Sequence, residues 1–138
     1  MLYLGVELFS YAFTITALSD GFARLGQKNF RLSNSNSWQY WVNQLKVNPQ
    51  EPLRWFLDAA DFQNPDYPAH LFDLSGEFST VYLVNHRALC NLRQFLYERL
   101  GTTNGRNNDL EMSFVLASAN RIFTEHDLEL IYPEHDDF

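Results

Sequence analysis

Acidic side chains that interrupt apolar patterns are the first chemical signal in this sequence. Glu7 sits among Leu4, Val6, Leu8 and Phe9, and a carboxylate drawn into such surroundings needs a partner, because water no longer solvates its charge. Asp58 closes the run Leu53-Arg54-Trp55-Phe56-Leu57, and Asp109 stands just ahead of Leu110 and Phe114. Carboxylates that converge in a half-buried site repel one another. They hold a cation, keep a proton, or are balanced by a fixed positive group. Each acid also has a plain structural role open to it. Glu7 suits a partly exposed strand face, Asp58 suits a turn after a strand, and Asp109 and Glu111 suit a helix start favoured by the macrodipole.

Other chemistries find less support. His70, His86, His126 and His135 lack ligand-like spacing and read as solvated surface. Cys90, the single cysteine, falls within the helical apolar pattern, so a structural thiol is expected and no disulfide can form within the chain. There is no Gly-x-Ser-x-Gly elbow for a hydrolase, and no glycine-rich phosphate loop of the kind an actin-like ATPase needs. Trp38 and Trp41 share a helical phase with Val42 and Leu45, which assigns them to a core rather than to a base-stacking platform.

The elements that must position these residues follow from periodicity. Leu2 to Leu8 alternates with apolar residues on nearly both faces, which predicts a central strand, and Phe13 to Leu18 predicts its antiparallel partner before the turn at Ser19-Asp20-Gly21. A third strand is expected around Gln27 to Leu32. An amphipathic helix follows on Trp38, Trp41, Val42 and Leu45, and Pro49 and Pro52 bound its end. Leu53 to Leu57 predicts a fourth strand, Pro68 to Leu74 a short helix closed by Gly76, and Thr80 to Val84 a fifth strand. Leu89, Leu92, Leu96 and Leu100 then mark the longest helix. After the connector from Thr102 to Asn108, the stripe Leu110, Phe114 and Ala117 predicts another helix, with Asn108-x-x-Glu111 as a capping box. Thr124 to Leu130 is expected to add a last helical turn, and the end from Pro133 to fray.

Composition bounds the rest. A chain of 138 residues, 46% apolar and 16% aromatic, holds material for one hydrophobic core, so the expected organisation is one α/β domain over residues 1–123 and an acidic tail over 124–138. Ten Lys and Arg against 17 Asp and Glu give a net charge of −7, and the tail residues Glu125, Asp127, Glu129, Glu134, Asp136 and Asp137 carry much of it. Phosphate neutralisation dominates nucleic-acid affinity, so this charge disfavours DNA or RNA as partner and points to a protein partner. No membrane span and no export signal are expected, and the lone cysteine fits a reducing, cytoplasmic setting. Oligomeric state is not legible.

Three strands, a helix, a strand, a helix, a strand and a helix is the element order of the ribonuclease H-like superfamily. Local sequence sharpens the likeness. The first strand reads Gly5-Val6-Glu7-Leu8, the fourth ends Asp58-Ala59-Ala60-Asp61-Phe62, and the fifth ends Val84-Asn85-His86. These resemble the amino-terminal domain of DEDD transposases and Piv-type DNA invertases over most of the first 120 residues. The resemblance implies a mixed sheet, with three antiparallel strands then two parallel strands, flanked by helices.

It also implies a site. Members of this superfamily hold two divalent ions that clamp an in-line phosphodiester displacement. The corresponding catalytic and metal-ligating residues are Glu7, Asp58 and Asp109, with Asp61, Glu77 or Glu111 as a fourth ligand, and the ion would be Mg²⁺ or Mn²⁺. The departures matter as much. Glu replaces the family's first Asp, Asp its second acid, and Arg106 stands where one of the last two Asp residues belongs, so its guanidinium would balance the acids in place of a metal. The domain bearing the family's Ser nucleophile has no counterpart here. The expected function is therefore a non-catalytic, cofactor-free binding or regulatory domain. A small metal-dependent nuclease and an acidic interaction or nucleic-acid-mimic module are the alternatives.

Overall fold

A computed structural model describes residues 1–9, 12–31, 37–62, 78–100 and 112–132. Strands β1 (Leu2–Leu8), β2 (Ala12–Leu18) and β3 (Arg24–Arg31) come first, followed by helix α1 (Ser37–Leu45), β4 (Leu53–Asp58) and the short helix α2 (Ala59–Phe62). Then come β5 (Ser79–Val84), α3 (His86–Leu100), α4 (Met112–Ala117), α5 (Ala119–Ile122), a 3-10 turn (Glu125–Asp127) and β6 (Leu128–Tyr132). They build one six-stranded sheet in the order β3-β2-β1-β4-β5-β6. β1 pairs antiparallel with β2 and parallel with β4, and β4 pairs parallel with β5. This is the α/β mixed sheet expected from the element order, antiparallel strands followed by parallel ones and flanked by helices, with β1 in its interior.

Alternation along the strands divides the core in two. Leu2, Leu4 and Val6 of β1 join Phe13 and Ile15 of β2, Trp55 and Leu57 of β4, and Trp38 and Val42 of α1 on one face. On the other, Phe56 and Val84 meet Leu89 of α3, Val115 and Leu116 of α4, and Ala119. A strand apolar on both sides must be covered on both, so β1 lies between helical layers. Along α3, Leu89 is buried, Leu92 packs partly against the same cluster, and Arg93 and Glu98 face water, as the leucine spacing predicts. The side chains of Leu96 and Leu100 lie outside the described ones, as do the expected helix at Pro68 to Leu74 and the capping box at Asn108.

The carboxyl-terminal segment departs from expectation. Only Glu125–Asp127 makes a helical turn, and Leu128–Tyr132, which overlaps the end of the helical turn expected over Thr124 to Leu130, forms an edge strand antiparallel to β5. Ile131 and Tyr132 favour extended backbone and pack against the first cluster, while Leu128 joins the second. Strand pairing and partial burial on both faces outweigh the helical capping signal of Thr124.

α4 crosses β1 at Gly5. A Cβ at that position would lie 2.0 Å from the Ser113 carbonyl oxygen and 2.3 Å from the Ala117 nitrogen, so only glycine lets the helix approach this closely. That contact fixes the height of α4 above the sheet, beside Glu7.

Candidate functional site

The site lies at the carboxyl ends of the parallel strands, where open α/β sheets place their ligands. Val6 pairs with Leu57, which sets Glu7 and Asp58 level on adjacent strands. Side chains alternate along a strand, so both project to the face opposite Val6 and Leu57, the face covered by α3 and α4. Glu7 is also level with Thr14 of β2, and Thr14 with Asn29 of β3. A polar row, Asn29, Thr14, Glu7 and Asp58, thus crosses four strands. The Thr14 hydroxyl donates to the Asn29 side-chain carbonyl.

Within that row the two acids face different surroundings. Glu7 lines an open groove of about 320 Å³ together with Phe9, Ala12, Thr14, Gln27, Lys28 and Asn29. Asp58, nearly buried, turns toward α3. His86 Nδ1 lies 2.8 Å from its Oδ2 and 3.1 Å from its Oδ1, and the Ala60 N–H donates to Oδ1 at 2.9 Å. The parallel register Asp58 to Val84 explains the meeting, because α3 begins two residues past Val84 and so opens beside the end of β4.

Asp61, one turn along from Asp58, is half-buried. Burial first, and the charge of Asp58 second, raise its carboxyl from 3.8 to about 6, against the pull of the Leu8 N–H and of His86. It therefore holds its proton into mildly acidic solution. Among the described residues, no three His, Cys, Asp or Glu side chains group as a metal ion would require. Asp109, the third expected ligand, lies outside the described residues, as do Glu77, Glu111 and Arg106.

Two expectations change here. His86 is exposed, as expected, yet it is the hydrogen-bonding partner of Asp58. Cys90, expected as a structural thiol, is exposed, and its Sγ lies 3.4 Å from His86 Nε2. It follows Leu89 by one residue, a rotation of about 100° around the helix, which carries it off the buried stripe. The signal for the contact was the four-residue spacing of His86 and Cys90, which puts them on one helix face. The partner on β4 was not readable without the strand order.

Scans against protein-family models and against curated proteins return no match to this chain.

Proposed function

We propose that the chain is a non-catalytic binding or regulatory domain of ribonuclease H-like architecture, related to the DEDD recombinases, with a protein rather than a nucleic acid as its partner. The observation that carries this reading is the capture of Asp58. Both of its oxygens face the imidazole of His86 and one also accepts the Ala60 N–H. A divalent ion at this carboxylate would compete with a group already in place, and a hard cation gains little from an imidazole already turned to a carboxylate. His86 thus already occupies, through hydrogen bonds, the carboxylate oxygens a metal ion would need. The net charge of −7 supports a protein partner.

One observation favours a second reading, a small metal-dependent nuclease: Glu7 and Asp58 stand level on one face at the carboxyl ends of adjacent strands. The two readings separate in a cleavage assay on single-stranded, duplex and branched DNA with Mg²⁺ or Mn²⁺. The binding-domain reading expects no cleavage by the parent. Metal-dependent cleavage lost in Glu7→Gln would establish the nuclease instead.

A further inference from the structure

We propose that Cys90 is a site of mixed-disulfide formation with small anionic disulfides, served by His86 as its proton acceptor. Three groups stand in line. The Cys90 Sγ lies 3.4 Å from His86 Nε2, and His86 Nδ1 lies 2.8 Å from Asp58 Oδ2. A carboxylate at Nδ1 fixes the ring hydrogen there, which leaves the Nε2 lone pair facing the thiol. This is the arrangement of a nucleophile, its base and the group that orients the base. Asp58 here is a positioning residue; it touches only the imidazole.

The thiolate, not the thiol, attacks disulfides. The Cys90 proton passes to His86 Nε2, and Sγ attacks one sulfur of the incoming disulfide. The bond between its two sulfurs breaks as the Sγ–S bond forms, and the departing thiolate takes the proton back from His86. One small disulfide yields one mixed disulfide and one small thiol. Cys90 is exposed on a helix surface, which leaves room for the collinear approach of three sulfurs. Helical spacing sets Arg87 three residues before it and Arg93 three residues after, both exposed. Two guanidinium groups within one turn on either side favour a disulfide bearing carboxylates, in a chain that is otherwise acidic. The inference goes beyond the binding-domain reading and does not depend on it, since no metal and no partner protein enter it.

The test is the rate of mixed-disulfide formation at neutral pH, followed by intact mass, with three probes: oxidised glutathione (anionic), 2-hydroxyethyl disulfide (neutral) and cystamine (cationic). Cys90 should react faster in the folded protein than in the same chain unfolded in urea, and fastest with the anionic probe. His86→Gln, at an exposed position, should slow the neutral probe about tenfold, and Arg87→Gln should reduce the preference for the anionic one. Asp58→Asn should slow the reaction and also move the His86 ¹⁵N resonances toward the other tautomer, a shift that a merely structural role would not produce. Equal rates in folded and unfolded chains, or in the parent and His86→Gln, would overturn the proposal. Rates that ignore probe charge would overturn the anionic class.

Discussion

Gly5 of β1 lies directly beneath Ser113 of α4, so close that a Cβ on Gly5 would stand 2.0 Å from the Ser113 carbonyl oxygen. Both groups are backbone, and neither can rotate out of the way. Gly5→Ala must lift α4 off the sheet, and it should cost about 3 kcal/mol in urea unfolding. An unchanged midpoint would mean that α4 does not pack on β1.

The same helix carries a buried polar junction. The Ser113 and Thr16 hydroxyls share a hydrogen bond of 2.8 Å, and Gln27 Nε2 donates to Ser113 Oγ at 3.2 Å. Ser113→Ala leaves the buried Thr16 hydroxyl without that bond and should cost about 1 to 3 kcal/mol. Adding Thr16→Val should restore part of the loss, because both ends of the bond are then apolar. A double-mutant cycle in denaturant checks this coupling.

Asp61 gives the pH dependence its sign. Its folded-state value, about 6, is above the ordinary 3.8, so the folded state binds the proton more tightly than the unfolded chain does. Its contribution to stability is fully present below about pH 4 and is lost as pH rises to about 6. Asp61→Asn keeps an acceptor for the Leu8 N–H but cannot ionise. It should stabilise the protein at neutral pH by about 1 kcal/mol, a figure reduced for the half-exposed position, and the gain should vanish near pH 4. Thermal melts of both proteins across that range measure it.

On α3, Leu89 is buried and Leu92 only partly so. Leu89→Ala should therefore cost about 2 to 5 kcal/mol, and Leu92→Ala distinctly less. Equal losses would show that the helix is rotated from the orientation described.

Alternation made β1 and β2 readable, and short apolar runs bounded by turn residues did the same for β4 and β5. The same reasoning phased α3 through Leu89 and Leu92. It failed at Leu128–Tyr132, where acidic residues and a capping threonine imitate a helix, and where only pairing with β5, over 40 residues back in sequence, selects a strand. For the site, the likeness of Gly5-Val6-Glu7 and Asp58 to a family motif located two acids that the strands do set level. The partner of Asp58 was hidden. His86 reaches it only because β4 and β5 are parallel neighbours, a non-local fact that no spacing in the sequence encodes. Cys90 was misassigned because it adjoins a leucine stripe without belonging to it.

The central claim is that His86, not a metal ion, satisfies Asp58. Calorimetric titration of Mn²⁺ into the parent and into Glu7→Gln tests it most directly. No saturable binding in the millimolar range or tighter is predicted for either protein. Saturable binding by the parent that is lost in Glu7→Gln would contradict the account, because it would make Glu7 a ligand and the carboxyl ends of β1 and β4 a working metal site.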